Sequence, residues 1–150
     1  MRLTLTLTLT LTLTLTLTLT LTLTLTVFPA SKTYHLGYKR NDETLLPTQY
    51  LNTLPASFTR TDRIVVSDPM LATGGTLCAA LDEIVDRGAD PANIRVVGLV
   101  AAPPALSKLS NKFPGMRIYL GMIDEVLSAE GFIVPGVGDA GDRCFGTNDE

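Results

Sequence analysis

Between residues 64 and 122 short apolar runs alternate with amphipathic ones, and this alternation limits the fold more than any other feature of the chain. Ile64-Val65-Val66-Ser67 is a compact apolar run, the pattern of a strand buried on both faces. After nine intervening residues Leu77, Ala80, Leu81, Ile84 and Val85 recur at helical spacing, with Asp82, Glu83, Asp86 and Arg87 on the opposite face and Gly88 as a stop. A helix is predicted over 77–87. Residues 94–100 form the next apolar run, and Pro103-Pro104 can open a helix carrying Leu106, Leu109 and Phe113 on one face before Pro114-Gly115 ends it. A further strand is predicted over 116–122, ending at Asp124. Strands alternating with helices imply an α/β fold whose sheet is mainly parallel, with right-handed crossovers.

The two ends of the chain differ from this middle. Residues 3–26 are twelve consecutive Leu-Thr pairs. Strict alternation is the period-two pattern of a strand with one apolar face. Taken as one strand, the repeat would span about 80 Å, far beyond ordinary strand lengths. As a helix it would place Leu all round, with β-branched Thr at every second site. It lacks the continuous apolar run of a membrane span or of a signal peptide's core. No acidic residue precedes Asp42, which suits a transit peptide, but Arg is nearly absent, which does not. The plainest account is a translated simple-sequence repeat or a gene-model error. The organisation is therefore read as a low-complexity segment over 1–26 and a partial domain over 27–150. At the other end, five glycines between Gly131 and Gly146 are too many for a regular element and imply a loop shaped for close backbone approach. Between repeat and core, residues 32–38 read as a short strand ending at Lys39-Arg40, and 41–63 as a hairpin or mobile flap.

Residues 27–150 hold 11 basic and all 15 acidic side chains, a formal charge of −4. With no cluster of Lys or Arg, no electrostatic footprint for nucleic acid or an anionic membrane is expected. Any phosphate must be held locally, by backbone and a few side chains. Cys78 falls on the apolar side of the helix predicted over 77–87 and is expected to be a buried free thiol; Cys144 lies in the glycine-rich tail. Neither has metal-ligand spacing or points to a disulfide framework, in keeping with a reducing compartment. His35, the single histidine, has no acidic or sulfur partner nearby and is read as structural.

The chemistry is concentrated in Asp68-Pro69-Met70-Leu71-Ala72-Thr73-Gly74-Gly75-Thr76. A buried strand, a Gly-Gly turn and a helix start let backbone N–H groups converge on an anion, with the helix dipole behind them. Thr73 and Thr76 add hydroxyl donors. There is no Gly-Lys-Ser/Thr ending of a nucleotide-triphosphate loop and no G-x-G-x-x-G for a dinucleotide. Asp68, just before the turn, suits the hydroxyls of a sugar diol. Phosphate beside ribose means a phosphoribosyl group, although Gly-Gly is also simply a turn and a plain strand-turn-helix connection stays open on pattern alone.

Asp68 to Thr76 resembles the 5-phospho-α-D-ribose 1-diphosphate (PRPP) signature in the form used by uracil phosphoribosyltransferases, where Asp-Pro replaces the two acidic residues common in the wider class. Four other segments resemble that family in the right order: 39–45 (Lys-Arg-Asn-Asp-Glu-Thr-Leu), 99–103 (Leu-Val-Ala-Ala-Pro), 132–136 (Phe-Ile-Val-Pro-Gly), and 138–143 with 145–147 (Gly-Asp-Ala-Gly-Asp-Arg, Phe-Gly-Thr). The resemblance covers 27–147 and is nearest the plant and plastid branch. It implies a type I phosphoribosyltransferase fold, truncated at the N-terminus, and transfer of ribose 5-phosphate from PRPP to N1 of uracil, giving UMP and diphosphate in pyrimidine salvage. Carried over by position, Arg40 and the run Asp68 to Thr76 would bind PRPP; Ile133, Gly138, Asp139 and Ala140 would bind uracil, with Asp139 also reaching PRPP. Arg40 as a solvated flap charge and Asp139 as a loop cap are the structural alternatives. Phe132 stands where many relatives have Tyr. No residue is singled out as a catalytic base, since charge develops on the sugar and on the leaving diphosphate and calls for positioning and electrostatics.

The same resemblance implies Mg²⁺ bound mainly through PRPP, GTP as an effector, a homo-oligomer when the enzyme is intact, and a cytoplasmic or plastid location. It also implies a core strand and a Leu-Arg-Ala-Gly diphosphate loop upstream of Tyr34, where the repeat stands instead, and a further PRPP-binding arginine beyond that. Without them this chain is expected to be inactive, its sheet edges bare unless the repeat donates a strand. A non-catalytic phosphoribosyl- or nucleotide-binding relative, or an inactive fragment, is the alternative.

Overall fold

The structure, a computed structural model, describes residues 3–10, 31–40, 47–129, 131–138, 143 and 146. Its centre is a seven-stranded sheet: β1 (Leu3–Thr10), β2 (Lys32–Arg40), β3 (Pro47–Asn52), β4 (Arg63–Ser67), β5 (Met70–Leu71), β6 (Ile94–Ala101) and β7 (Arg117–Ile123). Two helices, α1 (Gly75–Asp86) and α2 (Pro103–Lys112), connect β5 to β6 and β6 to β7. Strands run in the order β3-β2-β1-β4-β6, with β7 along one side of β6; β4 and β5 share the other side, facing successive parts of it. Within this sheet the described strands pair in parallel except β2 with β3. The expected parallel α/β sheet is thus present, and α1 begins two residues earlier than the apolar spacing predicts because Gly74 already accepts the first helical hydrogen bond, from Cys78 N at 2.9 Å.

The core lies between one face of the sheet and the two helices. Alternate strand residues point into it: Ile64 and Val66 of β4, Ile94 and Val96 of β6, Leu36 and Tyr38 of β2, against Leu77, Cys78, Leu81 and Ile84 of α1 and Ala105 and Leu109 of α2. Cys78 is a buried free thiol, as expected, and its burial pushes its pKa up. On the opposite face Leu99 is 69% exposed, and Val97 and Tyr119 are exposed beside it. Lys112 of α2 reaches Asp82 of α1 at 2.5 Å, tying the two helices at the surface.

Three expectations are narrowed or changed. First, β1 is made of the Leu-Thr repeat. Thr4–Thr10 pair with Lys32–Tyr38 of β2 and Leu3–Leu7 with Arg63–Ser67 of β4, so the edges of β2 and β4 are not bare: eight repeat residues fill the gap with backbone hydrogen bonds. Second, of the two readings of 41–63, hairpin or mobile flap, the hairpin is the one that residues 47–52 bear out. They form β3, antiparallel to β2, and Leu54 and Phe58 are buried in the core. Arg87 holds that stretch by donating to the carbonyls of Leu54 at 2.9 Å and Pro55 at 2.7 Å, while Phe58 N donates back to Arg87 O at 2.7 Å. Residues 41–46 lie outside the described residues. Third, the glycine-rich tail contains a regular piece. β8 (Val126–Leu127) and β9 (Ile133–Val134) form a two-stranded antiparallel ribbon, because Ile133 has an apolar site to enter. Among the described residues no helix is long and apolar enough to cross a membrane.

Candidate functional site

The strand order reverses between β1 and β4: β1, β2 and β3 follow one another in one direction across the sheet, β4, β6 and β7 in the other. In open α/β sheets ligands bind outside the carboxyl ends of the strands at such a switch point. The carboxyl end of β4 opens there into a cavity of about 290 Å³. Asp68 and residues 70–77 line it from below, Tyr38 and Pro47 from β2 and β3, and Gly131 and Phe132 from the ribbon.

Its floor is built by Gly74 and the start of α1. Gly74 caps the helix in the left-handed region, at φ 71°, where only glycine rests without steric cost. A Cβ there would stand 3.2 Å from the Cα of Ala105, in the first turn of α2. The turn therefore needs glycine twice over, for its backbone angle and for the closeness of the neighbouring helix. No side chain caps α1, and Thr73 Oγ1 is 3.5 Å from Gly75 N, so the helix presents its N-terminal backbone donors to the cavity.

Asp68 is 2% exposed, and its backbone N–H donates to Val97 O at 3.1 Å, yet among the described residues its carboxyl has one hydrogen bond, a long one accepted from Met70 N at 3.4 Å. Burial dominates and pushes its carboxyl from 3.8 up to about 7, with the Met70 contact opposing the shift. A buried acceptor with unused lone pairs at a cavity wall is ready for ligand hydroxyls. Tyr38 is buried as well; burial raises its phenol, and its oxygen accepts from Gln49 Nε2 at 3.0 Å.

The residues singled out from sequence divide by position. Asp68, Met70, Leu71, Ala72, Thr73, Gly74, Gly75 and Thr76 line one cavity. Pro69 does not; its carbonyl accepts from Leu99 N at 3.0 Å and Val100 N at 3.1 Å, pinning the loop to β6. The backbone of Arg40 pairs with Pro47, which lines the cavity, so Arg40 stands at the rim. The side chain of Ile133 is buried in a small cluster with Val100 and Ala102, which leaves its backbone as what it can offer a ligand. Gly138 is exposed at the end of the same arm, while Asp139, Ala140 and Cys144 lie outside the described residues. Sequence reasoning did not assign Tyr38, Pro47, Leu77, Gly131 or Phe132 to the cavity. The aromatic ring of Phe132 beside a glycine was the available signal; Tyr38 and Pro47 arrive only through the β2–β3 pairing. His35 sits in β2 with its Nδ1 buried and, among the described residues, without a hydrogen-bond partner, its backbone paired with Thr53.

A family model described as uracil phosphoribosyltransferase matches residues 20–147. The chain is 58% identical over 121 residues to a uracil phosphoribosyltransferase of Nicotiana tabacum and 54% identical over 121 residues to a chloroplastic one of Arabidopsis thaliana. Each match takes in 81% of this chain but 54% and 41% of the relatives' own lengths, so the chain spans about half of the proteins it resembles. Among solved structures, the AQ2163 protein of Aquifex aeolicus superposes with a TM-score of 0.80 at 36% identity, covering 99% of this chain and 67% of that one. A purine phosphoribosyltransferase of Pyrococcus horikoshii superposes with a TM-score of 0.55 at 17% identity over 83% of this chain and 71% of its own, which speaks to the shared fold alone. From the signature at Asp68–Thr76, the sheet that carries it and these matches together, the chain belongs to the uracil phosphoribosyltransferase family.

Proposed function

We propose that the cavity at the carboxyl end of β4 takes the 5-phosphoribosyl group of PRPP and that the arm from Ile133 to Ala140 takes uracil beside it. The observation that carries this reading is that the Thr73-Gly74-Gly75-Thr76 turn, the buried Asp68 and Phe132 of the ribbon all line one cavity. The backbone donors at the start of α1 with the Thr73 and Thr76 hydroxyls would hold the 5-phosphate, and Asp68 would accept from the ribose hydroxyls. Arg40 and Asp139 would complete the PRPP contacts. Uracil presents O2, N3–H and O4, which need fixed acceptors and donors at close range; backbone groups of Ile133 and Gly138, with Asp139 and Ala140 next in sequence, would meet that need.

In the whole enzyme the reaction is displacement of diphosphate from the anomeric carbon by N1 of uracil, yielding UMP. Positive charge grows on the sugar and negative charge on the leaving group, so the protein contributes orientation and preorganised charge rather than a base. Mg²⁺ would neutralise the diphosphate. GTP activation, homo-oligomerisation and a cytoplasmic or plastid location complete the reading; the match to a chloroplastic relative favours the plastid branch.

For this chain alone the same reading gives binding without turnover. A non-catalytic phosphoribosyl binder is the alternative, favoured by the Leu-Thr strand standing where the resemblance expects the diphosphate loop. Calorimetric titration of residues 1–150 with PRPP, UMP and inosine monophosphate tests the reading. PRPP and UMP should bind and inosine monophosphate should bind at least about tenfold more weakly; equal affinity for the purine nucleotide overturns it.

A further inference from the structure

Three hydrogen bonds lead in sequence from the phosphate loop to the base arm. Ala102 N donates to Leu71 O at 2.9 Å, Asp124 N donates to Ala101 O at 2.9 Å, and Gly136 N donates to Asp124 Oδ2 at 3.0 Å. The middle of the path is a carboxylate, Asp124, only 7% exposed and outside the cavity lining. A small apolar cluster runs alongside, where Ile133 of the arm packs on Val100 and Ala102 together with Met70 and Ala72 of the phosphate loop. The arm has little slack between these two anchors. Gly136 adopts φ 44°, and a Cβ on it would stand 2.2 Å from the carbonyl oxygen of Ile133. Ile133 is thus fixed by burial, Gly136 by Asp124, and the residues after Gly136 leave the ribbon in a direction set by those two points.

We infer that Asp124 is a positioning residue for base recognition: it touches no ligand, but its bond to Gly136 N sets where the arm beyond Gly136 stands relative to the phosphate loop. This rests on the proposal that the arm binds uracil. The physical reason is the pairing of a buried carboxylate with one backbone N–H. Removing the acceptor leaves Gly136 N without its partner and lets the turn drift, while the phosphate loop keeps its own bonds to β6.

The test uses the full chain and the variants Asp124→Ala and Asp124→Asn, titrated with ribose 5-phosphate, which probes the phosphate loop alone, and with UMP, which adds the base. In Asp124→Ala the affinity for UMP should fall at least about tenfold while that for ribose 5-phosphate stays within about twofold. Asp124→Asn keeps an oxygen that can accept from Gly136 N and should restore UMP binding to within roughly threefold. Equal loss for both ligands, an unchanged UMP affinity, or an Asn variant as weak as the Ala variant overturns the inference. Amide hydrogen exchange at Gly136 gives a second reading that needs no ligand: protection should be lost in Ala and kept in Asn, with the amides of β4 and β6 unaffected. If the parent binds neither ligand, the proposed function fails; the exchange at Gly136 then decides on the latch by itself.

Discussion

Asp68 is a carboxyl that the fold has taken out of water, and among the described residues no cation stands beside it. Folded, it titrates near 7; in the unfolded chain it titrates near 3.8. Between those values the unfolded chain has lost the proton that the folded one retains. The contribution of Asp68 to stability is therefore full below about pH 4 and is lost as pH rises through 7. Thermal melts of the parent and of Asp68→Asn at pH 5 and pH 8 check this: the parent should lose more stability over that interval than the variant, and parallel losses would place the carboxyl elsewhere. Gly74 carries a second prediction at this scale. Gly74→Val forces a β-branched residue into φ 71° against Ala105 and should cost about 1–2 kcal/mol from the backbone angle alone. It should also reduce ribose 5-phosphate binding at least about tenfold, read by titration alongside a denaturant melt. Both residues were legible in the sequence, since an acidic residue and a Gly-Gly pair between a buried strand and a helix mark a turn whose backbone can face an anion, and the ordered motifs around them favoured that reading over a plain connection.

Elements were legible where the apolar period was clean. β4, α1, β6, α2 and β7 lie within a residue or two of their predicted bounds because buried strands and amphipathic helices announce their faces. The stretch from 53 to 62 was not, because Leu54 and Phe58 are isolated apolar residues with no period; what holds them is Arg87, from the far end of α1. Arg87→Ala leaves two carbonyls without donors and removes the ion pair to Glu83 at 2.6 Å, so a loss of about 1–3 kcal/mol is expected in urea unfolding. A change below a few tenths would mean that the loop is held by Phe58 alone. The repeat makes a different kind of prediction. Its pairing to β2 and β4 repeats every two residues, so removing one Leu-Thr pair shifts an identical strand into register and should leave the melt unchanged. Removing 3–26 altogether should expose the edges of β2 and β4 and drive association, measurable by light scattering.

For the molecule as a whole, the sheet is complete enough to hold the cavity at the end of β4 and the ribbon beside it, while the share of the relatives that it spans is about half. Expressed residues 1–150 should bind PRPP and yet form no measurable UMP from uracil, PRPP and Mg²⁺. Loss of one preorganised donor costs roughly 10²–10³ in rate, and here a whole diphosphate loop has no counterpart in the Leu-Thr strand, which brings neither glycine nor arginine. Turnover near that of a full-length relative would overturn this expectation. The sequence by itself determined the α/β class, the Gly-Gly turn between strand and helix and the family, because these are local: period, Gly-Gly placement and ordered motifs need no knowledge of distant neighbours. Only the tertiary structure decided that a Leu-Thr repeat serves as a central strand, that Tyr38 and Pro47 wall the cavity, and that Asp124 holds Gly136. Those depend on backbone pairing and on hydrogen bonds between residues far apart in the chain, which satisfy buried polar groups only once the chain has closed around them.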